Sequence, residues 1–176
     1  MNLPNKLTIL RVIMVPFFIW AFLKEEYLIA TLIFCLASVT DALDGQIARK
    51  RNLVTNFGKI MDPLADKILV YSALCLFLQI DIIKGWMLIV ILAREFIVAG
   101  MRTVAASEGR VLAAGMSGKI KTVLQMVGVI VMMFGLAMPE QSGILIVGSL
   151  IFFASIIMAV YSGCEYVFKN RDVFSM

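Results

Sequence analysis

The sequence predicts an all-α, polytopic membrane protein with six transmembrane helices and both termini on the cytoplasmic side. Hydrophobic residues fill 61% of the 176 positions and charged residues only 16%, a balance foreign to soluble domains. Six separate runs each approach the ~20 apolar residues that a bilayer core demands. With the N-terminus placed inside, Lys6, Arg11, Arg49, Lys50, Arg51, Lys59, Lys67, Arg94, Arg102, Arg110, Lys119, Lys121, Lys169 and Arg171 fall in the cytoplasmic half, and only Lys24 and Lys84 fall at outer turns. That bias is the positive-inside pattern, and it accounts for the net charge of +4 without a nucleic-acid partner.

The first span runs from Leu7 to Leu23. Lys24-Glu25-Glu26 closes it directly, with no small-residue cleavage pattern, so it stays as a helix and is not a cleavable signal peptide. The second, Tyr27 to Arg49, ends in a polar segment holding Asp41 and Asp44, and the third, Phe57 to Ile80, begins with one holding Asp62 and Asp66. Pro63 lies inside the third pattern and removes a hydrogen bond to the carbonyl of Lys59, which predicts a local distortion between the two acids. The fourth span, Ile83 to Ala106, carries Arg94-Glu95 near its middle, open between a structural ion pair and a part of the site.

The fifth, Met116 to Met138, has Gly128 and Gly135 seven apart, read as a close core contact within one chain. The sixth runs from Gly143 to Phe168. Trp20, Tyr27 and Trp86 fall near the outer turns, where an aromatic belt belongs. Cys35, Cys75 and Cys164 are scattered in apolar runs, odd in number, and predict no disulfide framework. There is no repeat or internal boundary, so 1–176 reads as a single domain. Its longest polar connections, Lys50 to Asn56 and Ser107 to Ser117, are both on the inner side.

The chemistry gathers between Asp41 and Asp66. Asp41 and Asp44 are three apart and Asp62 and Asp66 four apart, so on helices each pair shares a face. Fourteen residues separate Tyr27 from Asp41 and fourteen separate Asp66 from Ile80, which puts both pairs about 21 Å from the outer end of their helices. Carboxylates inside a membrane need compensation, and a cation supplies it. The chain has no histidine, so a metal site must use oxygen ligands, which favours Mg2+ or Mn2+ over zinc.

Two such ions suit a phosphate or diphosphate undergoing in-line displacement. Gly45, Ala48 and Gly58 leave bare backbone near the acids for a ring or phosphate, and Arg49 can pair with a phosphate through its planar fork. Arg102 and Lys121 lie about 25 Å from the outer side, just beyond the acids, with Thr8 at a similar depth. Ser117-Gly118-Lys119 lacks the rest of a phosphate loop and is set aside. A divalent-cation transporter and a structural membrane subunit are the competing classes. The absence of a polar path in the outer half counts against transport.

Asp41-x-x-Asp44-Gly45-x-x-Ala48-Arg49, eight residues, then Gly58-x-x-x-Asp62-x-x-x-Asp66 resembles the complete signature of the CDP-alcohol phosphatidyltransferases. Asn2-Leu3-Pro4-Asn5-Lys6-Leu7-Thr8, Ala93-Arg94-Glu95-Phe96 and Gly118-Lys119-x-Lys121-Thr122 with Gln125 resemble the bacterial phosphatidylglycerophosphate synthases of that family. The resemblance implies a six-helix enzyme of the bacterial cell membrane, usually a homodimer, with its active site facing the cytoplasm. It joins CDP-diacylglycerol to glycerol 3-phosphate and releases CMP.

By the same resemblance, Asp41, Asp44, Asp62 and Asp66 hold two divalent ions, and Asp66 also takes the proton from the acceptor hydroxyl. Gly45, Arg49 and Thr55 touch the CDP part, with help from Asn5 and Thr8. The acceptor phosphate needs a second anion pocket, for which Arg102, Arg110, Lys119 and Lys121 are candidates, Arg110 and Lys121 foremost. Relatives using serine, choline or inositol phosphate share the core signature, so this pocket decides the product.

Overall fold

The structure is a computed structural model that describes the backbone of residues 3–50, 56–113 and 115–174, with side chains for 7–40, 61, 64–113, 115–141 and 143–173. Among the described residues it is all-helical, with six α-helices, no strand and a final 3-10 turn. The helices are α1 (Leu3–Leu23), α2 (Tyr27–Lys50), α3 (Asn56–Gln79), α4 (Gly85–Ser107), α5 (Met116–Ala137) and α6 (Ser142–Lys169), followed by the turn Arg171–Phe174. Their ends fall within a few residues of the six apolar runs, because each run is long and unbroken by a turn signal. The helix α3 continues across position 63, so the proline does not interrupt it. Of the described helical stretches, Met116–Ala137 and Gly143–Lys169 are long and apolar enough to cross a bilayer.

Three helices end in the same way. Glu25, Asp81 and Gly109 all take left-handed φ values, of 63°, 60° and 75°. Around each, one amide reaches back three residues and the next reaches back five, as in Glu25 to Phe22 and Glu26 to Ala21. This closes the last turn of α1, α3 and α4 and satisfies their terminal carbonyls. No side chain caps the N-termini of α4, α5 or α6. Packing, more than capping, must therefore hold the bundle.

The main core draws on all six helices, from Val15 and Phe18 of α1 to Ile91 of α4 and Phe152 of α6. Phe18, Phe34 and Phe77 are fully buried there, with Phe22 beside them. Phe18 meets Phe34 with ring centroids 5.7 Å apart, and Phe22 meets Phe77 edge-on at 5.9 Å. Helices α5 and α6 form the closest pair because glycines line their contact. A Cβ on Gly128 would fall 2.8 Å from the Phe152 backbone nitrogen, and one on Gly135 would fall 2.7 Å from the Leu145 Cα. Gly148 of α6 returns the contact, since a Cβ there would fall 2.7 Å from the Met132 nitrogen. The seven-residue glycine spacing is thus an intrachain core contact, as its position suggested.

The helix α4 leans on α6, where Val98, Met101 and Tyr166 make a small second core. Cys35 is half-buried, Cys75 and Cys164 are exposed, and all three are free thiols.

Candidate functional site

The acid-bearing segments are helical. Positions 41, 44, 45, 48 and 49 lie on α2, and 58, 62 and 66 lie on α3. The i,i+3 and i,i+4 spacings therefore place each acid pair on one helix face, and α2 and α3 touch. The side-chain surroundings of Asn5, Asp41, Asp44, Gly45, Ala48, Arg49, Gly58 and Asp62, and the whole of Thr55, lie outside the described residues. Thr8 is fully buried on α1.

One turn further on, Arg11 is also fully buried, and its Nε donates to the carbonyl of Ala37 on α2 at 3.3 Å. Ala37 is one helical turn before Asp41, so a guanidinium is buried next to the acidic segment. Sequence reasoning had counted Arg11 only as an inside charge. Its spacing of three from Thr8 was the available signal.

Asp66 is half-buried and lines a cavity of about 160 Å3 with Lys67, Tyr71, Glu95, Lys121, Thr122 and Gln125. Glu95 is the hub of this space. Its Oε1 accepts from Arg94 Nη1 and from Lys121 Nζ, each at 2.9 Å, and Lys67 Nζ stands 3.5 Å from its Oε2. The side chain of Lys121 is only 4% exposed. An ammonium buried so deeply is tolerated only with such a partner. Glu95, with Arg94 beside it, therefore links α3, α4 and α5 through Lys67 and Lys121, and it lines the same cavity as Asp66.

A larger cavity of about 630 Å3 opens alongside, where α4 finishes, α5 begins and α6 finishes. Arg94, Arg102, Lys119 and Lys169 line it, against two acids, Glu95 and Glu165. Arg94 Nε donates to Ser162 Oγ at 3.3 Å, and Arg102 Nε donates to Tyr166 Oη at 3.1 Å. Small residues make the slot for Arg94: a Cβ on Gly118 would fall 2.8 Å from its Nη2, and one on Gly163 would fall 3.1 Å from its Cγ. Gly118 thus clears the guanidinium, which gives the Ser117-Gly118-Lys119 segment a role other than a phosphate loop. At the rim, Ser117 Oγ donates to Glu165, and Lys169 pairs with the same carboxylate, both at 2.5 Å. Four cations against two carboxylates leave a chamber suited to a dianion.

The four basic residues expected to bind an acceptor phosphate do not gather at one place. Arg102 and Lys119 line the larger cavity, and Lys121 lines the smaller one beside Asp66. Arg110 is on the surface beyond α4, paired with Asp172, and lines neither cavity. Hydrogen bonding to that carboxylate pushes the Arg110 guanidinium above its ordinary value and holds the Asp172 carboxyl below its own. Arg94, Lys169 and Ser162, which the sequence does not single out as phosphate ligands, also line the larger cavity. Arg94 carried a signal in its place beside Glu95. The other two carried none.

A divalent ion fits the donor chemistry on offer. Aspartates on two helices that touch, in a chain with no histidine, offer an all-oxygen donor set, which is what a hard cation takes. Asp66 is the one member of the four whose side chain is described. Among the described residues no group of three or more ligating side chains forms a centre.

The family model for CDP-alcohol phosphatidyltransferase matches residues 1–161. A protein of Bacillus subtilis named CDP-diacylglycerol--glycerol-3-phosphate 3-phosphatidyltransferase is 41% identical, over 97% of this chain and 96% of its own length. One of the same name from Rickettsia felis is 39% identical over 98% and 97% of the two chains. A probable phosphatidylglycerophosphate synthase of Mycobacterium tuberculosis is 36% identical over 98% and 83%.

Proposed function

Because this chain belongs to the CDP-alcohol phosphatidyltransferase family, we propose that it transfers the phosphatidyl group of CDP-diacylglycerol to glycerol 3-phosphate, giving phosphatidylglycerol phosphate and CMP. The observation that carries the choice of acceptor is near-full-length identity of 36–41% to relatives named for that reaction. The cation-lined chamber next to Asp66 supports it, since a phosphorylated alcohol needs an anion site within reach of the base.

In this reading Asp66 takes the proton from the acceptor hydroxyl. The oxygen then attacks the phosphorus that bears diacylglycerol, and the bond from that phosphorus to the CMP oxygen breaks. Asp41, Asp44, Asp62 and Asp66 would hold two divalent ions, Mg2+ or Mn2+. Bound there, a divalent ion neutralises diphosphate charge and stabilises the departing CMP. Asn5, Thr8, Gly45, Ala48, Arg49, Thr55 and Gly58 surround the CDP part. Arg102 and Lys119, with Arg94 beside them, receive the acceptor phosphate, and Lys121 stands between that phosphate and Asp66.

The whole of 1–176 acts as one transmembrane domain. Six spans, cytoplasmic termini and a site opening to the cytoplasm follow from the apolar runs and the placement of Lys and Arg. The protein resides in the bacterial cell membrane and works as a homodimer. The test is purified protein with CDP-diacylglycerol and, in parallel, glycerol 3-phosphate, serine or inositol phosphate, with products identified by mass. Phosphatidylglycerol phosphate is the expected lipid. Phosphatidylserine or phosphatidylinositol phosphate in its place would reassign the acceptor within the family.

A further inference from the structure

Glu95 stands between the two cavities. Among the described residues only Glu95 and Thr122 line both the chamber of Arg94, Arg102 and Lys119 and the chamber of Asp66. The Thr122 hydroxyl spends its one proton on the carbonyl of Gly118 at 3.0 Å and is an uncharged acceptor, weaker than a carboxylate. Glu95 uses its two oxygens unequally. Its Oε1 accepts from both Arg94 and Lys121 at 2.9 Å, whereas among the described residues Oε2 has only the looser approach of Lys67 at 3.5 Å. That second oxygen keeps acceptor capacity.

Arg94, Lys121 and Lys67 offset the Glu95 charge, and an oxygen with spare acceptor capacity on the path from an anion chamber to the base suits an uncharged donor. On the phosphatidyltransfer reading above, the acceptor spans the two chambers, with its phosphate among the cations and its terminal hydroxyl, the least crowded one, at Asp66. Glycerol 3-phosphate carries a second hydroxyl between those ends. We propose that Glu95 Oε2 accepts a hydrogen bond from this second hydroxyl, which makes Glu95 the residue that tells glycerol phosphate from a phosphorylated alcohol lacking it.

The experiment uses the full-length protein with CDP-diacylglycerol and two acceptors, glycerol 3-phosphate and 3-hydroxypropyl phosphate, reading kcat/KM from CMP release. The native protein should favour glycerol 3-phosphate by about 10- to 100-fold, the worth of one hydrogen bond to a charged group. In Glu95→Gln that preference should shrink to about fivefold or less, mostly through loss on glycerol 3-phosphate. If Glu95 only braces Lys121 and Arg94, both acceptors fall by one factor and the preference stands, which overturns the proposal. Equal use of both acceptors by the native protein overturns it without any variant. Should Glu95→Gln not fold, the neutral double variant Glu95→Gln/Lys121→Gln gives the same ratio. A native protein that releases no CMP with either acceptor sinks the phosphatidyltransfer reading itself, a different result from CMP release without preference.

Discussion

Lys121 Nζ donates to Glu95 Oε1 over 2.9 Å, with 4% and 18% of the two side chains exposed. This contact ties α5 to α4 at the edge of the cavity that holds Asp66. Charges buried this far contribute little as a pair but cost much when separated. Lys121→Met leaves Glu95 with Arg94 and Lys67 as remaining partners, so the loss should be about 2 kcal/mol, below the 3–5 typical of an isolated buried pair. Thermal unfolding followed by the fluorescence of Trp20 and Trp86 reads it. An unchanged Tm would mean that the contact carries no stability.

Asp66→Asn should lower CMP release by at least about 100-fold while leaving Tm near the native value, because the amide cannot take the acceptor proton. Substantial turnover in a folded Asp66→Asn protein would remove Asp66 as the base.

Chelation should stop the reaction. Activity lost in EDTA and restored by Mg2+ or Mn2+, but not by Na+, is the expected pattern for an all-oxygen site. Full turnover in excess chelator would end the metal assignment.

The glycines of α5 predict opposite outcomes from that of α4. Gly128→Ala forces a Cβ to 2.8 Å from the backbone of Phe152, and should cost about 1–3 kcal/mol through overpacking. Gly100→Ala meets nothing within 4 Å on an exposed stretch of α4, and should raise helix stability by up to about 1 kcal/mol. Thermal shifts of the two variants in the same detergent compare them directly. A tolerated Gly128→Ala would show that α5 and α6 are not packed this closely.

The surface contact between Arg110 and Asp172 sets a pH dependence of known sign. The Asp172 carboxyl is held below its ordinary value by the Arg110 guanidinium, so its contribution is present above the unfolded pKa, about 3.9, and is lost as pH falls through the folded one. The Tm difference between native protein and Asp172→Asn should therefore be present at pH 7 and shrink as the pH falls below the ordinary carboxylate range. A difference that persists in acid would mean that the asparagine acts by another route.

Much of this protein was readable without coordinates because its strongest signals are local. Six apolar runs had to become helices, since a backbone with few polar neighbours satisfies its own hydrogen bonds only that way. The glycines at 128 and 135 announced a close contact by spacing alone, and α6 fills it. The basic residues were legible as a group but not as individuals. Arg102 and Arg110 look alike in the sequence, yet one faces a cavity beside Tyr166 and the other pairs with Asp172.

The amino-acid order by itself determined the helices, their ends and the helical register that puts Asp41 with Asp44 and Asp62 with Asp66, because hydrophobic period and i,i+4 geometry act within a single segment. Only the tertiary structure decided that Glu95 gathers Arg94, Lys121 and Lys67, that Gly118 and Gly163 make room for Arg94, and that Arg11 reaches α2 just before Asp41. Those contacts depend on how each helix is rotated about its own axis against its neighbours. That rotation is set by packing between segments far apart in the chain, and no spacing within one segment encodes it.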